Sequence, residues 1–288
     1  MLKRSMLCLT ILASALASLT ASDEASPQHD IYSQENLVAW CIVPFDAAKR
    51  GPAARAQMLS KLQIRHVAYD WRTEHIATFE DEILQYKKHG LNYFAFWSWH
   101  ESMEALIRKH DIHPQIWVMM KNSTATTQEQ KIAEAVEELM PLVAITKSLG
   151  CKLAVYNHGG WAGTPANMVD VVKALRAKHD ADHVGIVYNF HHAHDQIANF
   201  KSNLKTMLPF LHCVNINGMD DASVVSAGRN KILAVGSGKH ELTMMKTLKA
   251  SGYQGRIGIL DHRNELDAEE SLQQNITGVA VVREQLAK

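Results

Sequence analysis

The sequence predicts an α/β chain closed into a single (β/α)8 TIM barrel, and three observations lead there. Short apolar runs alternate with amphipathic, helix-like segments from residue 36 onward, the pattern of a parallel sheet with crossover helices. The runs number eight, which implies closure into a ring rather than an open sheet. The first run leads into CIVPFDAAKR, not into the glycine-rich phosphate turn that an open dinucleotide-binding sheet carries there.

The strands are expected at Leu37–Val43, His66–Tyr69, Asn92–Phe96, Gln115–Met120, Lys152–Tyr156, Val184–Tyr188, His212–Ile216 and Ile257–Leu260. Helices are expected at 52–62, 78–89, 100–110, 127–148, 165–179, 195–207, 241–250 and 267–286. Gly51-Pro52 and Thr164-Pro165 read as helix starts, because proline's fixed φ suits the first turn and its missing N–H is not needed there. Gly90, Gly150 and Gly252 stand where a helix ends and the chain turns toward a strand. The stretch Gly218 to Gly238 is the one long irregular segment and reads as a lid or substrate loop over the barrel mouth.

Residues 1–22 read as a secretory signal. Lys3 and Arg4 supply the positive start, Ser5 to Leu19 an apolar stretch too short to span a bilayer comfortably, and Leu19-Thr20-Ala21-Ser22 the cleavage zone. The alternative is a retained membrane anchor. Residues 23–35 are polar and expected as a disordered linker ahead of the barrel at 36–288. Export implies a secreted or periplasmic protein with no membrane contact after cleavage. Cys41, Cys151 and Cys213 remain, an odd count that fits no complete disulfide framework and suits buried thiols. Thirty basic residues balance thirty acidic ones, which gives no basic face for nucleic acid.

Barrel active sites are built at the C-terminal ends of the strands. There the chain reads AYDWRTEH (68–75), AFWSWHE (95–101), VYNHGGW (155–161), VYNFHHAHD (187–195), VNINGMD (214–220) and ILDHR (259–263), and several of its sixteen histidines crowd these positions. His158, His192 and His262 are candidate ligands for one divalent transition metal, Zn or Mn, since neutral imidazoles suit such ions and three of them leave a position open. The alternative is a metal-free polar pocket in which the same rings hydrogen-bond a sugar. Asp70, Arg72, Glu74 and His75 form a second cluster. Glu74 and His75 are candidate bases for removing a proton beside a carbonyl, and Arg72 can clamp an oxyanion or a carboxylate. The alternative is an Asp70–Arg72 ion pair, with Glu74 capping the next helix. Trp71, Trp97, Trp99 and Trp161 fall at or just after strand ends, where flat rings pack on sugar C–H faces; singly, each also suits a core. Lys121 follows the fourth strand and suits either carbonyl polarisation or plain solvation.

These strand ends resemble the xylose-isomerase-like TIM-barrel family of sugar isomerases, epimerases and endonuclease IV, over nearly the whole mature chain. VGIVYNFHHAH is similar to the family's sixth-strand pattern, with Asn189 and His192 at its Asp-x-x-His positions. LHCVNINGMDD is similar to the seventh-strand pattern. VGSGKHEL resembles the Gly-x-Gly loop, with Glu241 near the usual Asp. GYQGRIGILDH resembles the eighth-strand Gly-Tyr-x-Gly motif. AWCIVPFD, AYDWRTEHI, YNHGGW and GILDH together look like an exported subgroup. The resemblance implies a divalent metal held by carboxylates and a His from strands five to eight. The matching positions here are Asn157, Asn189, Asn215 and roughly Asp261, and three amides bring no charge to a hard cation.

The expected function is an exported isomerase, epimerase or related lyase acting on a non-phosphorylated sugar or keto-sugar. Proton abstraction beside a carbonyl would begin the reaction, and a metal or the His and Asn groups (Asn157, Asn189, Asn215 and Asn217) would hold substrate and oxyanion. No nucleotide cofactor is expected. The alternative is a barrel that has lost catalysis and binds carbohydrate. A nuclease is the least favoured reading, given zero net charge and the amides.

Overall fold

The computed structural model describes residues 30–288. Its sheet is a closed barrel of eight parallel strands in chain order. The strands are β1 (Leu37–Trp40), β2 (His66–Asp70), β3 (Asn92–Trp97), β4 (Gln115–Val118), β5 (Leu153–Tyr156), β6 (Val184–Asn189), β7 (Leu211–Ile216) and β8 (Arg256–Leu260). The ring closes where Leu37, Val38, Ala39 and Trp40 pair with Ile257, Gly258, Ile259 and Leu260. The helices are α1 (Pro52–Lys61), α2 (Phe79–Lys88), α3 (Ser102–His110), α4 (Gln128–Ser148), α5 (Pro165–His179), α6 (Phe200–Met207), α7 (Ala222–Ser226), α8 (Glu241–Ala250) and α9 (Ala268–Gln285).

Every expected strand is found, with ends moved by a few residues. β1 stops at Trp40 because Cys41 takes a left-handed conformation, φ 62°, which ends extended pairing. The segment expected as one helix over 195–207 begins with a 3₁₀ stretch (His194–Asn199) before α6. The short α7 inside the irregular 218–238 segment was not expected.

Two cores result from the alternation of side chains along each strand. Inside the ring, Trp40 and Trp117 meet edge to face at 5.0 Å, beside Ala68, Ala95 and Ala154. Small residues on neighbouring strands leave room for two indoles where the barrel is narrow. Outside, Val67, Tyr69, Phe96, Leu153, Ile186 and Val214 pack under the helices.

The expected linker over 23–35 is corrected from residue 30 onward. Ile31 and Tyr32 are buried in the helix-side core, Tyr32 Oη donates to the Met245 carbonyl at 2.8 Å, and Asp30 pairs with Arg283. The apolar pair makes a polar-looking segment part of the domain. The signal expected at 1–22 and the start of the linker lie outside the described residues. No described helix is long and apolar enough to cross a membrane.

One ion pair is wholly enclosed: Arg55 of α1 and Glu82 of α2 meet at 2.6 Å with both side chains almost without solvent contact. Removing one partner strands the other charge in the core. Glu82→Gln is expected to cost about 3 kcal/mol, read as a lower denaturation midpoint in urea at unchanged slope.

Candidate active site

At the C-terminal mouth the alternation that fills the barrel continues upward into a small cavity of about 160 Å³. Trp40 closes its base from β1, Asp70 and then Arg72 rise from β2, Trp97 from β3, and Tyr156 and then His158 from β5. These positions lie two apart along their strands, so residues that share the interior face reach the cavity in succession. Cys41 and Phe45 follow β1, His191 and His192 follow β6, and His262 follows β8. Lys231 comes from the irregular segment after β7.

Asp70 is the only carboxylic acid in this lining. It is buried, and neither carboxyl oxygen has a hydrogen-bond partner. Burial raises its pKa to about 7, against the opposing charge of Arg72. The Arg72 guanidinium lies over Phe45 at 5.3 Å and Trp97 at 5.5 Å, and one of its N–H groups donates to the Trp71 carbonyl. Among the described residues Asp70 and Arg72 form no hydrogen bond, so the expected structural ion pair is not made. Asp261, just past β8, is a second buried carboxyl without partners, raised by burial to about 8.

The imidazoles form a stack. His158 and His192 lie 4.4 Å apart between ring centres, His191 and His192 3.7 Å, and His191 and His262 6.0 Å. Burial, then mutual repulsion with His158, lowers His192 to about 3; burial, then Lys231, lowers His262 to about 4. His158 and His191 are lowered in the same direction by burial. All four rings are therefore neutral at neutral pH. Each neutral imidazole offers one donor and one acceptor.

The expected metal set of His158, His192 and His262 is brought into one cavity. The three residues share the cavity, but they meet ring to ring. His192 Nε2 lies 3.1 Å from the Tyr156 hydroxyl, and His262 packs on Phe45 at 3.8 Å. No group of three or more His, Cys, Asp or Glu among the described residues is arranged to hold an ion. The family's carboxylate positions do not replace it. Asn157 Oδ1 accepts from the Asn189 backbone N–H at 2.7 Å and its Nδ2 at 3.2 Å, and Asn189 Oδ1 accepts from Asn215 Nδ2 at 2.7 Å. Asn215 Oδ1 sits where a side chain on Gly258 would stand. The Asn157 and Asn189 amide oxygens accept from neighbouring amides, the Asn215 oxygen accepts from the Cys213 thiol, and none of the three residues lines the cavity. The donor set does not fit the family's divalent cation.

The segment after β7 covers one side of the mouth. Its Gly218 bridges to Leu233. The buried His194 ring holds it, with Nδ1 3.0 Å from the Asp220 carbonyl and Nε2 2.9 Å from the Lys231 carbonyl. That contact sets Lys231 at the cavity edge.

Several expected site residues stand elsewhere. Glu74 is exposed, and with His75 it lines a separate cleft beside Pro44, Arg50 and Asn264. The chain winds into a 3₁₀ turn after Arg72, which carries both outward. His75 Nδ1 accepts from the Arg72 backbone N–H at 2.9 Å, so it fixes the turn that presents Arg72. Trp71 donates to the Ser98 carbonyl and stacks on Phe96 outside the ring. Trp99 packs against the helix-side core. Trp161 donates to Gln128. Asn217 turns its amide to the Gly218 carbonyl. Lys121 is exposed beside Glu138. Of the four tryptophans only Trp97 lines the cavity. Sequence reasoning missed Trp40, Phe45, Tyr156 and Lys231. Period-two counting back from His158 would have found Tyr156, but no local pattern marks Lys231.

The two buried carboxyls give the fold an alkaline weakness. A folded-state pKa raised above the unfolded value means that the native form holds the extra proton, so stability falls as pH rises from about 4 to about 8 for Asp261. The lowered imidazoles act oppositely and are lost on the acid side. Asp261→Asn is expected to raise Tm at pH 9 by at least about 4 °C and to leave it little changed at pH 4.5. Equal shifts at both pH values would contradict the assignment.

The sequence pattern of the xylose isomerase-like TIM barrels matches residues 83–279. No curated protein matches the sequence. Among solved structures, the IolI protein with a bound zinc atom superimposes with a TM-score of 0.66 at 14% identity, covering 87% of this chain and 99% of the other. D-psicose 3-epimerase in the presence of D-fructose gives 0.62 at 14%, covering 88% and 100%. The 3-keto-D-glucoside 4-epimerase YcjR of E. coli gives 0.58 at 13%, covering 86% and 99%. At such identities these likenesses bear on the fold alone. With the family pattern covering most of a closed eight-stranded ring, the chain belongs to the xylose isomerase-like TIM-barrel family.

Proposed function

We propose that this barrel is a sugar-modifying enzyme that moves a proton between neighbouring carbons of a small hydroxy-carbonyl compound, with Asp70 as the base and without a resident divalent metal. The observation that carries the reading is the Asp70 carboxyl: enclosed, unpartnered, facing the cavity, and tuned to about 7. A base near the working pH exists in both protonation states and can take a proton and give it back. The Asp70 carboxylate removes hydrogen from the carbon beside the carbonyl. The C–H pair becomes the new C=C bond, and the carbonyl π pair moves onto oxygen. The developing oxyanion meets the N–H of a neutral imidazole, a donor held in place before the reaction, and the mobile ammonium of Lys231. Protonated Asp70 then delivers its proton to the neighbouring carbon, while the imidazoles pass the hydroxyl proton between the two oxygens. One base suffices for this isomerisation. Epimerase neighbours of the same fold support a proton-transfer class. The zinc atom in the IolI structure keeps a metal-assisted variant in view, though the donor set here does not fit it. Export to a secreted or periplasmic site, proposed from residues 1–22, favours an unphosphorylated sugar or keto-sugar.

Incubation of keto-sugars with the protein in D2O is expected to wash deuterium into the carbon beside the carbonyl. Asp70→Asn should lower that exchange by at least about 10³-fold while Tm at pH 8 holds or rises. Because the base must be ionised, kcat/KM should rise with pH and level off above about 7. A second reading, a carbohydrate-binding barrel without turnover, is favoured by the amides at the carboxylate positions. Tight sugar binding with no deuterium incorporation at any pH would select it.

A further inference from the structure

The cavity holds more positive charge than a transient oxyanion uses. Arg72 and Lys231 both line it, and neither forms a side-chain ion pair among the described residues. Four imidazoles add hydrogen-bonding capacity but no negative charge, and Asp70 is the sole acid. Arg55 is matched by Glu82 and Arg50 by Asp46 and Asp267, while the half-buried Arg176, Arg256 and Arg263 have no carboxylate but spend their N–H groups on protein oxygens away from the cavity. Arg72 differs in facing the cavity with a single such contact, to the Trp71 carbonyl. One developing oxyanion occupies one cation. The other is left facing the cavity with no counter-charge from the protein.

The two cations differ in kind. Arg72 is a planar fork clamped between the Phe45 and Trp97 rings, and its turn is fixed by His75. A guanidinium with its plane set by packing pairs with a carboxylate through two parallel N–H···O bonds. Lys231 is an exposed point charge on a flexible stem and adapts to charge that moves. The cavity, at about 160 Å³, lies well below the roughly 300 Å³ where drug-sized pockets begin, so little more than a monosaccharide fits.

We infer that the substrate of this site is a small hydroxy- or keto-acid of the sugar-acid class, its carboxylate gripped by Arg72 and its reacting carbonyl turned toward Asp70 and Lys231. The identity of the reacting end rests on the proton-transfer reading above; the carboxylate grip does not.

Calorimetric titration of the full chain with 2-keto-gluconate, glycerate and galacturonate, against fructose, glyceraldehyde, galactose and inorganic phosphate, tests the assignment. The acids are expected to bind at least tenfold more tightly than their neutral counterparts, with affinity falling as salt rises. Arg72→Gln should remove that preference, and Arg72→Lys should restore only part of it. Lys231→Gln should retain most of it; Lys231 is exposed, so this variant folds whatever its effect. Equal affinity for acids and neutral sugars, or tighter binding of phosphate than of any acid, overturns the inference. Acid-selective, Arg72-dependent binding without deuterium exchange would leave the carboxylate grip standing and remove the proton-transfer reading. Exchange on neutral sugars alone would do the reverse.

Discussion

Closure of the ring between Leu37–Trp40 and Arg256–Leu260 is the constraint on which the other features rest. Closure forces alternate side chains from every strand into one narrow interior, where only a mixture of alanines and large aromatics packs. The same alternation carries past the last paired residue. What lies two positions beyond a core residue must stand at the mouth: Asp70 above Ala68, Trp97 above Ala95, His158 above Tyr156, His262 above Leu260. The indoles below keep water out, and the exclusion of water is what shifts Asp70. The chemistry is a product of where the core ends.

The relay of Asn157, Asn189 and Asn215 occupies the positions where the family carries charge. It replaces charge with three amides hydrogen-bonded in a row. The relay binds the upper ends of β5, β6 and β7 together outside the cavity lining, so the residues that resemble a metal site act as structure. Gly258 takes part by having no side chain, since the Asn215 oxygen fills that space. The buried acidic groups at this end of the barrel are Asp70 and Asp261 instead, in surroundings that hold both carboxyls protonated, and so uncharged, to near or above neutrality.

Strand and helix positions were legible in the sequence because periodicity and glycine or proline punctuation are local signals. The ends of β1 and of the helix after β6 were not, because a left-handed Cys41 and a 3₁₀ turn leave no compositional trace. For the site, the sequence gathered the right rim but could not say which side chains on it turn inward. Asp70, Arg72, Trp97, His158, His192 and His262 line one cavity. Glu74, His75, Trp71, Trp99 and Trp161 look equivalent in a string of letters, yet one turn after Arg72 sends Glu74 and His75 outward, and core packing claims Trp71 and Trp99. Lys231 was invisible because only the tertiary path of the 218–238 segment brings it home. Residues 30–35 misled for a related reason: two apolar side chains among polar ones suffice to dock a segment.

The His194 ring ties two points of the 218–238 segment, at Asp220 and Lys231, to a single buried side chain. Both partners are backbone carbonyls, so the ring holds main chain rather than side chains. A flap stapled at two points along its length does not swing freely as a door. The mobile part of the rim is then the exposed Lys231 side chain, since exposed side chains reorient within nanoseconds, rather than the backbone that carries it. A cavity covered this way trades the shelter of a closing cover for rapid exchange of its contents with solvent.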